Sequence, residues 1–145
     1  MPYNDFPAFH AFVLALVALF LKTSMTSMLQ VVARFRSRAF TVPEDAALVR
    51  VKPSAQEVAF VQRCGAVWRN DVENLPLFLA LALAYVLAGA PAASAQALFG
   101  TYVALRYAHT AVYLLGLQPW RAIMYLSGMA VCWVIAVRIA LLVFA

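Results

Sequence analysis

Four long apolar runs, separated by brief polar stretches, set the organisation of this chain. The first predicts a helical span from about Phe6 to Ala33, with Lys22 embedded in it. A polar connector, Arg34 to Pro53, follows and carries Arg34, Arg36, Arg38, Arg50 and Lys52. Ser54, just after Pro53 and three residues before Glu57, reads as a capping box that opens the next helix. That helix is expected to run through Asn70, Asp71, Glu73 and Asn74 into the apolar run Leu75 to Leu87, and to stop at Gly89 and Pro91. At 1.5 Å per residue it would be about 50 Å long, more than a hydrocarbon core, so its first turns are expected to stand in water. Pro76 is a candidate kink at the interface. A third span is predicted from about Ser94 to Leu117, with Gly116 and Pro119 bounding a short turn, and a fourth from Trp120 to the C-terminus.

Composition turns these runs into membrane spans. The chain has 145 residues, of which 66% are hydrophobic and only 12% charged, and its mean hydropathy is +0.84. Soluble domains carry about 25% charged residues, and a small globule has the most surface to cover. A soluble monomer, a disordered chain and a disulfide-stapled domain are all excluded. The expected fold is an all-α membrane protein, a single four-helix transmembrane bundle over residues 1–145. The net charge of +5 does not signal nucleic-acid binding, because the cations are few and lie among apolar runs. Cys64 and Cys132 form no CxxC pair, so neither a metal nor a disulfide framework is expected. Only Asp5 is charged before the first run, which is too long for a signal core and is followed by no small-residue cleavage site; it is expected to be a retained span.

Lys and Arg crowd the first connector, Arg121 sits in the third, and the 89–95 turn has no charge. The positive-inside rule then puts the first and third connectors in the cytoplasm and both termini outside. With that orientation, Arg34, Arg69, Asn70, Glu73, His109, Tyr113, Arg121 and Tyr125 from four spans come to the cytoplasmic half. Arg69/Glu73 and Arg121/Tyr125 are spaced i,i+4, and Arg106/His109/Tyr113 are spaced i, i+3, i+7, so each set shares a helix face. These faces are expected to point into the bundle, since a charge facing lipid costs roughly 2.5–3.5 kcal/mol. Asp71 and Glu73, at i,i+2, diverge and make no carboxylate dyad.

Simpler roles account for several of these residues. Arg36, Arg38, Arg50 and Lys52 set topology or meet anionic headgroups, and Arg138 snorkels. Lys22 either pairs inside the bundle or is purely structural. Arg106, deep in its span, needs a partner whatever the function. Yet Arg34, Arg69, Arg106 and Arg121 outnumber the nearby acids, and that surplus calls for an anionic ligand. Glutathione fits such a site: two carboxylates for Arg, an ammonium for Glu73, peptide groups for Asn70. Its thiol becomes nucleophilic only as the thiolate, which an adjacent guanidinium favours. Arg121 also stands at a helix N-terminus, where anions are favoured.

Three segments carry a family resemblance: Arg38-Ala39-Phe40 with Pro43-Glu44-Asp45-Ala46, Arg69-Asn70-Asp71-Val72-Glu73, and Arg106-x-x-His109-Thr110-x-x-Tyr113. They resemble the membrane-associated proteins in eicosanoid and glutathione metabolism (MAPEG), above all the prostaglandin-isomerising branch, over nearly the whole chain. The resemblance implies homotrimers of four-helix subunits that bind glutathione between neighbours near the cytoplasmic side. It implies that Arg69, Asn70, Glu73, His109, Tyr113, Arg121 and Tyr125 contact glutathione, with Arg34 supplied by a neighbouring subunit. It makes Arg121 the thiolate-stabilising residue and matches Asp45 to a proposed proton-transfer aspartate. In the isomerising branch a serine follows the span-four arginine; here that position is Ala122, and the preceding turn is one residue shorter. Tyr113 or Tyr125 is then the candidate hydroxyl.

The expected function is that of a membrane glutathione transferase or peroxidase acting on lipophilic electrophiles that enter from the lipid. A glutathione-dependent prostaglandin isomerase and a non-catalytic lipid-binding scaffold are the alternatives. A four-helix drug–proton exporter is disfavoured, because the first span offers Lys22 and no carboxylate. The expected location is the inner membrane in a bacterium or the endoplasmic reticulum in a eukaryote, with the site facing the cytoplasm.

Overall fold

A computed structural model describes residues 6–144; Asp5 lies outside them. The helices are α1 (Phe9–Ser37), α2 (Pro43–Leu48), α3 (Ala59–Leu87), α4 (Ala92–Leu114) and α5 (Trp120–Phe144), and no strand occurs among the described residues. The four long helices form an antiparallel bundle. α3 and α4 pack on each other, and each also packs on α1 and on α5. The C-terminal end of α1 and the N-terminal end of α3 meet where Arg34 pairs with Glu57. The N-terminal half of α3 meets the end of α4 where Arg63 donates to the Leu114 carbonyl at 2.9 Å. The polar ends of all four long helices therefore lie at one end of the bundle.

Burial is arranged for lipid rather than water. α1 turns Leu14, Phe20, Met25 and Met28 outward, and α5 turns out Leu126, Trp133, Leu141 and Phe144. α1, α3 and α5 are each long and apolar enough to cross a membrane. α4 has 23 residues, about 34 Å, but carries Gln96, Arg106 and His109, of which Arg106 and His109 are buried. The interior holds an aromatic column on α3 and α4. Phe78 stacks on Tyr102 with ring centroids 3.8 Å apart and meets Phe99 edge-on at 5.8 Å. Tyr85 extends the column and its hydroxyl reaches Ser94 Oγ at 2.9 Å.

Halfway along the bundle, three buried charges join three helices. Asp71 on α3 pairs with Lys22 of α1 through one oxygen and with Arg106 of α4, at 2.6 Å, through the other. Their side chains are 1%, 2% and 3% exposed. In a low-dielectric interior a lone charge would be far too costly, so each cation requires Asp71 and Asp71 requires at least one of them. The pairing settles the role of Lys22 and supplies the partner that Arg106 needs.

Local details depart from the sequence expectation at helix ends. No Ser54–Glu57 capping box forms: the Ser54 hydroxyl donates to the Gln56 carbonyl, and α3 starts at Ala59 with Val58 as an uncapped N-cap. The 29 residues of α3 span about 43 Å rather than 50 Å, because Glu57 is drawn to Arg34 instead of closing a cap. α1 continues four residues past Ala33, to Ser37, and ends on Arg38 in a left-handed conformation. The connector contains α2, unforeseen, with Pro43 in its first turn beside Glu44 and Asp45, residues suited to a helix start. Gly89 and Gly116 adopt positive φ in the two tight turns, where a side chain would be strained.

The charge triad predicts unequal mutant costs. Asp71→Leu leaves two buried cations without an anion and is expected to cost about 3–5 kcal/mol, whereas Lys22→Met leaves a balanced Asp71–Arg106 pair and is expected to cost markedly less. Unfolding in mixed micelles measures both; equal losses would contradict the arrangement. Cys64 and Cys132 are buried, so a polar maleimide is expected to label them only after denaturation.

Candidate functional site

A cleft of about 360 Å³ opens between α3, α4 and α5, lined by Asn70, His109, Tyr113, Arg121, Ala122 and Tyr125. Its volume lies in the range of small-molecule sites. It takes shape because the three contributing faces follow the spacings legible in the sequence. His109 and Tyr113, one turn apart on α4, meet with ring centroids at 5.7 Å. Arg121 and Tyr125 come from the first turns of α5, immediately after the turn at Gly116.

Arg121 is the cleft's one cation. Its guanidinium carbon lies 4.6 Å from the centre of the Tyr113 ring, a cation–π contact that orients it. The Gln118 amide, with its oxygen toward the guanidinium, accepts from Arg121 Nε at 3.1 Å and Nη2 at 2.8 Å. No acid is paired with Arg121 among the described residues. Its charge is held in place without being neutralised, and it remains available to an anion.

The remaining wall is rich in hydrogen-bonding groups. Asn70 Oδ1 accepts from Arg106 Nη2 at 2.6 Å. His109 is 2% exposed and its Nδ1 has no partner among the described residues. Tyr113 and Tyr125 add hydroxyls. Among the described residues no carboxylate lines the cleft, so it suits a ligand bearing negative charge and hydrogen-bond acceptors.

Not every expected residue arrives here. Arg69 and Glu73 occupy an exposed face of α3, away from the interior. The expectation that their face points into the bundle is corrected: Asp71 takes the inward position between them, and residues two apart on a helix diverge. Arg34 Nε donates to Glu57 Oε1 at 2.6 Å and lies outside the cleft. Arg106 is committed to Asp71 and Asn70. The four arginines thus do not meet in one pocket of a single chain. Asp45 is exposed in the first turn of α2 and does not line the cleft. Sequence reasoning missed Asp71 as the hub, although an acid at mid-span opposite Lys22 and Arg106 was the available signal. It also missed Gln118, a turn residue with no motif. Among the described residues no His/Cys/Asp/Glu cluster is suited to a metal ion.

Comparison with known proteins identifies the family of the chain. Residues 12–141 match the MAPEG family. The chain is similar to prostaglandin E synthase of Homo sapiens, 31% identical over 134 residues that cover 92% of this chain and 88% of that protein. It is 32% identical to prostaglandin E synthase of Equus caballus over 133 residues, 91% of this chain and 87% of that protein. An all-α membrane bundle matched over nearly its full length to one family, and to curated members at this identity, belongs to the MAPEG family.

Proposed function

We propose that the protein is a glutathione-dependent membrane enzyme that conjugates glutathione through its sulfur to lipophilic electrophiles, displacing their leaving group or adding across them, or reduces lipid hydroperoxides. The observation that carries this is Arg121, held by Tyr113 and Gln118 in a cleft without an acid to neutralise it. The donor set fits glutathione: Arg121 for negative charge, Asn70 and the tyrosine hydroxyls for carboxylate or peptide oxygens, and the orphaned His109 Nδ1 for a further polar group. When bound, glutathione supplies a thiol whose anion is the nucleophile. Arg121 stabilises that anion, which lowers the thiol pKa by one unit for each 1.4 kcal/mol or so of preferential interaction. In this reading Tyr125 or Tyr113, both lining the cleft, supplies the proton.

In this proposal α4 is a fourth span, its polar groups turned onto α3, and the polar end of the bundle faces the cytoplasm. The assembly is a homotrimer in which the exposed Arg69–Glu73 face of α3 and Arg34 meet a neighbouring subunit's ligand. Membrane lipid and a lipophilic substrate are the other partners. A prostaglandin isomerase is the second reading, favoured by the names of the similar proteins. Ala122 lines the cleft where the isomerising branch carries a serine, and Asp45 stands outside it, which favours transfer or reduction.

Titrating glutathione into the purified protein is expected to raise thiolate absorbance near neutral pH and to support conjugation of an aryl halide. Arg121→Ala is expected to lose most of the thiolate signal, with activity falling roughly 100-fold for the loss of a charged stabiliser worth about 3 kcal/mol. Absence of both binding and conjugation in the wild type would contradict the proposal, and isomerised product from an endoperoxide without conjugation would establish the second reading.

A further inference from the structure

We propose that Arg106 is a positioning residue that locks the Asn70 amide with its NH2 group toward the cleft, so that Asn70 offers the cleft only hydrogen-bond donors. The proposal rests on the reading that the cleft takes glutathione. A guanidinium has no acceptor, so whatever faces Arg106 Nη2 must be the amide oxygen. That oxygen accepts at 2.6 Å. In a planar amide the nitrogen then points away from Arg106, and Asn70 lines the cleft. The neighbouring Asn74 amide donates to the Asn70 main-chain carbonyl at 2.7 Å, leaving the Asn70 side chain uncontested.

Arg106 is not free to release this grip. The same Nη2 donates to Asp71 Oδ1 at 2.6 Å, and Asp71 is held on its other oxygen by Lys22. Swinging Arg106 away from Asn70 would strip a buried carboxylate of one of its two cations. The orientation of one amide in the cleft is therefore set by charges on α1, α3 and α4 together. With Arg121 also a pure donor, the cleft discriminates for carboxylate and carbonyl oxygens and against cationic or donor groups at this position.

The chain has three asparagines, Asn4, Asn70 and Asn74, so protein labelled with 15N only at asparagine gives a simple side-chain amide spectrum in micelles, and Asn70→Ala assigns the Asn70 signals. Arg106→Lys keeps the charge but ends one bond short of the Nη2 position that donates to both acceptors. It is expected to shift the Asn70 side-chain signals in the absence of any ligand; unchanged signals overturn the proposal, whether or not glutathione binds. In calorimetry, Asn70→Ala and Arg106→Lys are each expected to weaken glutathione binding roughly tenfold, and Arg106→Lys to cost little more once Asn70 is alanine. Full additivity would assign Arg106 a purely structural role and overturn the proposal. Where Arg106→Lys fails to fold, Asn70→Asp decides. It changes none of the three triad residues and turns a carboxylate oxygen to the cleft, so glutathione is expected to bind more weakly than to Asn70→Ala; binding equal to wild type overturns the proposal. A wild type that binds no glutathione refutes the proposed function, and the amide spectrum alone then decides the positioning of Asn70.

Discussion

A carboxylate buried at mid-bundle, Asp71, is the constraint around which the rest of the chain is arranged. It is 1% exposed and shared between Lys22 and Arg106 on two other helices. In lipid there is no hydrophobic force to drive helix against helix, and polar contacts and close packing take its place. The triad pins α1, α3 and α4 at one register, since sliding any of them by a residue would leave a charge unmatched. α5 has no part in the triad and joins by packing against α3 and α4. It brings Arg121 and Tyr125 to the cleft at its own N-terminal end.

The triad also explains how the surplus of positive charge is distributed. Arg106 and Lys22 are spent on Asp71, and Arg34 on Glu57. Arg121 keeps its charge, held by a ring face and an amide rather than by an acid. The acid-paired arginines and the unneutralised Arg121 are thereby separated by their partners, not by their depth. The outward Arg69 and Glu73 belong to neither group within one chain.

The fold was legible wherever one physical rule dominated. Long apolar runs gave the four long helices, and Gly89 and Gly116 gave their turns, because only residues tolerant of positive φ fit there. The i, i+3, i+7 spacing of Arg106, His109 and Tyr113 placed those residues on one inward face. Legibility failed where two rules competed. Ser54 and Glu57 had the spacing of a cap, but Glu57 found a cation on another helix. Arg69 and Glu73 had the spacing of a shared face, but the residue between them, Asp71, claimed the interior. Local pattern carries no information about which of two polar faces a distant Lys22 will meet.

The central claim is that a ligand with acidic and carbonyl oxygens sits between α3, α4 and α5 against an unneutralised Arg121. A structure of the purified protein determined by electron cryo-microscopy with saturating glutathione tests it most directly. The account predicts ligand density in the cleft of Asn70, His109, Tyr113, Arg121 and Tyr125, with the sulfur nearest the Arg121 guanidinium. An empty cleft, or ligand density seated elsewhere on the bundle, would contradict it.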